Sequence, residues 1–167
     1  MKLRYTSNKT YDESFLAVCD EKIREFYEFY CSKKHGRKMP GRKDFDPLEM
    51  TKFLPSITLV DVEQETGIYR YRLVGTLEVE IRGGDPTGKT VREAFYGLSV
   101  DEVEENYNYV CGCKSFIYEH NNEAENPGQI LYDETLFLPL SQDDDRVNIV
   151  MLFAVQQFKS ERKRPRI

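Results

Sequence analysis

The chain has 167 residues, 40% of them hydrophobic and 32% charged, with a formal net charge of −5. That is one domain's length with enough apolar side chains to form a core, which excludes an intrinsically disordered chain. The acidic balance weighs against non-specific nucleic-acid binding, and no apolar run approaches the roughly 20 residues that cross a bilayer.

The opening stretch MKLRYTSNKTYDES lacks the apolar run of a secretory signal, so a cytoplasmic location is expected. There the four cysteines, Cys19, Cys31, Cys111 and Cys113, stay reduced. Cys111 and Cys113 form a lone C-x-C. With two histidines in the chain, a zinc set of about four ligands is not expected.

In chain order, Thr10 and Glu13 stand in capping-box spacing ahead of Phe15, Leu16, Cys19, Ile23, Phe26, Tyr27 and Tyr30. The three- and four-residue intervals predict a helix of about 20 residues with one apolar face, ending before Gly36. A basic connector broken by Pro40 and Gly41 follows, and then a short helix starting on Asp46 with Pro47 in its first turn. Residues 56–63 and 68–75 alternate like strands around a Thr66–Gly67 turn, which predicts a hairpin. From Gly75 to about Ser115 the pattern is that of small helices, the last capped by Ser99 with Glu102 at its third position. Strands are expected at 116–122, 130–141 and 147–158, joined by the short turns NPGQ and QDDDR into an antiparallel meander. The last carries Ile149, Met151 and Phe153 on one face and Val150, Leu152 and Ala154 on the other, which places it centrally with both faces covered.

Residues 83–90, GGDPTGKT, spell the phosphate-cradling pattern G-x-x-x-x-G-K-[ST]. The surroundings disagree with it. The preceding segment carries Glu78, Glu80 and Arg82 where a buried parallel strand is almost wholly apolar. Pro86 removes a backbone N–H from the loop, and the following helix can run only to Tyr96 before Gly97. Asp61, the acidic residue that could hold magnesium, precedes the loop instead of following it. The expected role is a turn, with Gly83 and Gly84 ending one helix and Thr87 or Thr90 capping the next.

Two strands, a group of short helices and three strands resemble the PAS fold. Residues 36–95 are further similar to small single-domain PAS-like proteins common in alphaproteobacteria. The shared phrases are P-x-R-x-x-F-D-P (Pro40 to Pro47), LP…LVDV (Leu54 to Val62), YRLVGT (Tyr71 to Thr76) and G-x-D-x-TGK (Gly83 to Lys89). Many members carry tryptophan before the first phrase, and this chain has none. The resemblance implies an α+β fold: a five-stranded antiparallel sheet, a cluster of short helices on one face, and an N-terminal helix. It divides the chain into an N-terminal helical extension (1–35), a PAS-like domain (36–158) and a basic tail (159–167).

It also implies a sheltered cavity, and alternation then nominates Tyr71, Leu73, Phe116, Tyr118, His120 and Tyr132 for its floor, with Phe95, Tyr107 and Val110 above them. PAS domains bind small molecules, hold haem or flavin, or pair with one another. A haem iron needs an axial ligand, and the segment SVDEVEENYNYVCG has no histidine, leaving His120 on a strand. The asparagine–cysteine–arginine phrase of light-sensing flavin domains is missing. A cavity without a cofactor, or with an unidentified metabolite, is therefore expected.

Arg70 and Arg72 share a strand face and are expected to pair with Asp61 or Glu63 on the neighbouring strand. Glu78/Glu80, Glu102/Glu105 and Asp143–Asp145 are expected on solvated surfaces, without the shielding that acid–base catalysis needs. The resulting expectation is a non-catalytic sensory or regulatory module. It would bind a small molecule or contact a downstream signalling protein, and form a homodimer through the N-terminal helix and the exposed sheet face. The alternatives are a nucleotide-binding enzyme using Gly83–Thr90, and nucleic-acid or acidic-partner binding through the tail KSERKRPRI.

Overall fold

The computed structural model describes residues 7–97, 99–122 and 130–158, with side chains at all of these except 7, 122, 130–132, 157 and 158. Strands β1 (Ser7–Thr10), β2 (Ile57–Val62), β3 (Tyr69–Val74), β4 (Ile117–Asn122), β5 (Ile130–Ser141) and β6 (Val147–Phe158) form one antiparallel sheet in the order β1-β4-β5-β6-β2-β3. β2 and β3 are the expected hairpin, and β4, β5 and β6 are the expected meander. β6 lies between β5 and β2, where its two apolar faces are both covered. The turn NPGQ and the basic tail lie outside the described residues.

β1 is a sixth strand that the sequence pattern does not announce. SNKT has no apolar alternation, and it is held by backbone pairing alone, Ser7 opposite Asn121 through Thr10 opposite Tyr118. Thr10 is therefore the end of a strand and caps no helix.

The expected N-terminal helix is split. A 3-10 turn spans Glu13–Ala17, started by Asp12, whose carboxylate accepts the Ser14 N–H. After a break, helix α1 (Glu21–Ser32) begins with Asp20 as its N-cap. The break has a cause across the interface. The Asp20 N–H donates to both carboxylate oxygens of Glu134 on β5, at 3.0 Å each, and so cannot serve a helix running through from residue 13. Likewise the segment after Asp46 closes a series of i→i+3 bonds and forms turns rather than a helix.

α1 lays Ile23, Phe26, Tyr27 and Tyr30 onto one sheet face, with Phe15, Phe45, Met50 and Phe53 beside them. They meet Ile57, Leu59, Leu136, Leu138, Leu140, Ile149, Met151 and Phe153, all nearly inaccessible to solvent. The Phe26 ring stacks on Phe153, and the Tyr30 hydroxyl donates to the Pro139 carbonyl at 2.7 Å. This apolar sheet face is thus covered by the chain's own N-terminal segment.

The opposite face carries helices α2 (Thr76–Arg82), α3 (Val91–Ala94) and α4 (Val100–Cys113). Gly83 ends α2 at φ +77°, Thr90 and Glu93 close a capping box on α3, and the Ser99 hydroxyl accepts the Glu102 N–H to start α4. Val91, Tyr107 and Val110 from these helices pack on Val60, Tyr71, Ile117, Phe137 and Val150.

Candidate functional site

Glu78 defines the site. Helix α2 is short and amphipathic, and it turns this residue toward the sheet, leaving it 7% exposed. The sequence pattern placed it on a solvated face. The structure corrects that, while Glu80, Glu102 and Glu105 are indeed exposed. One turn further on, Arg82 extends its guanidinium over the Tyr71 ring, 5.0 Å from the centroid, and donates to the Tyr71 hydroxyl at 3.3 Å. Among the described residues, Glu78 Oε1 and Arg82 Nε are buried without a hydrogen-bond partner.

Beneath them the sheet supplies a polar strip where apolar residues would be expected. β4 contributes Glu119 and Asn121, β5 contributes Asp133 and Thr135, and β6 contributes Gln156, in adjacent register. Asn106 on α4 donates to Glu119 at 2.6 Å, Asn121 donates to the same carboxylate at 3.3 Å, and the Thr135 hydroxyl donates to Asp133 at 2.9 Å. Asn121 Oδ1 and Gln156 Oε1 are buried and unpaired among the described residues. Burial disfavours the charged forms. It pushes the Glu78 carboxyl up to about 7, with Arg82 pulling down and Asp133 adding to the rise. Burial likewise pushes Asp133 up to about 6, against the Thr135 hydrogen bond. Two carboxyls beneath one helix are thereby set to change charge around neutrality.

The residues nominated from sequence divide between the two faces. Tyr71, Phe95, Tyr107 and Val110 gather on the side of α2–α4, where the Tyr107 ring lies 4.9 Å from Tyr69 and 5.9 Å from Phe137. Leu73 is 36% exposed. Phe116 and Tyr118 pack on the α1 side against Phe15, and the Tyr118 hydroxyl donates to Glu134. His120 follows Tyr118 by two residues on β4, with ring centroids 6.4 Å apart, and shares that face. The backbone of Tyr132 pairs with Asn122 and Gln157, and its side chain lies outside the described residues. The inward-facing residues of β4 are Ile117, Glu119 and Asn121. Alternation revealed the period but not which of its two phases faces α4, and the aromatic residues occupy the wrong one.

The GGDPTGKT segment is a turn closed on itself. Gly83 and Gly84 N–H donate to the Val79 carbonyl, Thr87 N–H to the Asp85 carboxylate, Gly88 N–H to the Tyr71 carbonyl and Lys89 N–H to the Pro86 carbonyl. Thr90 N–H donates to Glu93. Six of the loop N–H groups that would ring a phosphate are thus already donated, Lys89 faces solvent, and the Gly88–Thr90 stretch pairs with β3. Arg70 and Arg72 pair with Glu63 and Asp61 at 3.0 and 3.2 Å, as expected. Among the described residues no group of three or more His, Cys, Asp or Glu side chains could hold a metal ion, and no helix is long and apolar enough to cross a membrane.

No curated protein and no solved structure matches the chain. A family model described as a PAS domain does, over residues 19–153, a span that takes in α1, the helical group, strands β2 to β5 and the first part of β6. PAS domains are in general non-catalytic sensory modules that commonly dimerise and contact signalling partners. The antiparallel sheet with short helices on one face agrees with that match in architecture as well as in sequence, and the chain belongs to the PAS domain family.

Proposed function

We propose that this chain is a non-catalytic sensory or regulatory module that admits a small molecule between α2, α4 and the sheet. The observation that carries the reading is the pair Glu78, buried, and Arg82, half-buried, on the inner side of α2, each with a buried polar atom unpaired among the described residues. Buried polar groups nearly always find a hydrogen-bond partner, and in this reading the small molecule supplies it. Tyr71, Phe95 and Tyr107 are the aromatic walls in this reading, and the polar strip of Asn121, Asp133 and Gln156 is the floor. The cytoplasm is the proposed location, and the occupied state is read by another protein.

Pairing with a second copy through the N-terminal segment remains part of the proposal, in a narrowed form. The apolar side of α1 is committed to the sheet, so contact would use its outer face, where Glu21, Lys22, Arg24, Glu25 and Glu28 are exposed. A dimer of that kind is polar and weakens with salt.

Native mass spectrometry and an absorption spectrum of the purified full chain test the proposal. A small-molecule adduct that disappears on denaturation supports it. A clean apo mass from independent preparations, with no ligand-dependent change in stability, overturns the ligand half and leaves protein–protein contact as the function.

A further inference from the structure

The chemistry of the buried polar layer narrows the class of ligand, on the reading that a ligand enters there. Glu78 lies near Arg82 on its own helix and near Asp133 on the sheet, and Asp133 in turn lies near Glu119, so three carboxyls share this interface with one nearby guanidinium among the described residues. Arg82 only partly offsets the Glu78 charge, because its head is drawn onto the Tyr71 ring and hydroxyl instead of forming an ion pair with the carboxylate. Glu119 is satisfied by the amide N–H groups of Asn106 and Asn121, which add no charge. Because Asn121 turns its amide nitrogen to Glu119, its oxygen is the atom left over. Among the described residues, the unpaired buried atoms on this face near Asp133 are therefore three acceptors, Glu78 Oε1, Asn121 Oδ1 and Gln156 Oε1, against one donor, Arg82 Nε. Buried acceptors in acidic surroundings favour a guest that donates hydrogen bonds and carries positive charge.

We propose that this layer is a binding site for a small organic cation, an amine, amidine or guanidine, whose N–H groups are taken up by Glu78, Asp133, Asn121 and Gln156. Uptake of the cation competes with protons on Glu78 and Asp133. Of the other ionisable groups, Arg82 bears on Glu78, Glu119 and Glu134 bear on Asp133, and Arg82, Tyr71, Tyr69 and Glu104 gather around Tyr107. Binding therefore strengthens as the pH rises through the range in which the two carboxyls ionise.

The test uses the full chain with 1,4-diaminobutane and agmatine as cationic probes, and with 1,4-butanediol and succinate as neutral and anionic controls. Affinity and thermal shift are measured at about pH 5.5 and about pH 7.5. A cationic probe is expected to bind saturably, about tenfold more tightly at the higher pH, and to lose about tenfold in Glu78→Gln and in Asp133→Asn. Both variants keep the shape of the side chain, and their circular dichroism reports whether the fold is retained. Preference for succinate would make this an anion site built on Arg82 and overturn the inference. A neutral or anionic adduct on protein purified from cells, with no cationic probe binding, would overturn it while leaving the ligand-binding reading intact. If no probe binds and no adduct is found, the layer holds water only, and both readings fail.

Discussion

Glu134, a fully buried carboxylate on β5, receives the Asp20 N–H on both of its oxygens at 3.0 Å. It also accepts the Tyr118 hydroxyl. One side chain thus fixes where α1 begins and holds that helix end to the middle of the sheet. Glu134→Ala takes away the carboxylate that accepts the Tyr118 hydroxyl and the Asp20 N–H, and each lost bond costs about 1–3 kcal/mol. Urea unfolding is expected to show a loss of about 3 kcal/mol or more, and Glu134→Gln a smaller one, since an amide oxygen remains. Equal stability of the alanine variant and the parent would contradict this role.

Glu78→Gln tests the burial of the α2 carboxyl by its pH dependence. A carboxyl raised from its ordinary value to about 7 stabilises the folded state below the unfolded pKa, and that contribution is lost as pH rises through about 7. The parent protein should therefore melt at progressively lower temperature from about pH 5 to about pH 8, by up to about 3 kcal/mol from this group. Glu78→Gln should flatten the profile and melt above the parent at the alkaline end. A parent profile no steeper than the variant's would show Glu78 to be solvated.

Gly75→Ala should be among the most damaging single changes in the chain. Its φ of −63° suits any residue, so the need for glycine is spatial. A Cβ there would lie 2.3 Å from the Leu54 carbonyl oxygen and 2.4 Å from that of Pro55, both backbone atoms that cannot swing aside. Gly88→Ala meets nothing within 4 Å and is strained only by φ +88°, at a cost of about 1–2 kcal/mol. Denaturation midpoints should rank Gly75→Ala well below Gly88→Ala, with the former recovered mainly as insoluble protein.

Lys89→Ala should change nothing in nucleotide binding. The loop N–H groups are already donated within the turn and to β3, and Asp85 adds a negative charge where a phosphate would sit. Titration with ATP or GTP and magnesium should give no saturable signal for the parent or the variant. Saturable binding lost in the variant would restore the phosphate-loop reading.

Removing residues 1–35 should yield aggregated protein rather than a monomer, because Leu136, Leu138, Met151 and Phe153 lose their cover. Light scattering and solubility distinguish the outcomes; a soluble truncated chain would mean that the sheet finds another cover.

The strands were readable because β-branched and aromatic runs alternate between turn residues, and the expected limits differ from the observed ones by no more than one residue. Ser99 with Glu102 and Thr90 with Glu93 were equally legible, since caps are local chemistry. β1 was not, because SNKT is a strand through pairing with β4 and has no apolar pattern of its own. Nor was the break before α1, which depends on a carboxylate 114 positions away from Asp20. The polar layer was hidden for a related reason. Glu78 read as a surface residue and nothing local marked Asp133 or Gln156, and only the pairing of β4, β5 and β6 beneath α2 brings the three together.

Asp133 and Glu134 are neighbours in sequence, yet the pleat of β5 sends one carboxyl beneath α2 and the other to the root of α1. A single peptide plane therefore joins the two compartments. The acidic layer and the root of α1 are thus one peptide apart along the backbone, although the thickness of the sheet separates their side chains.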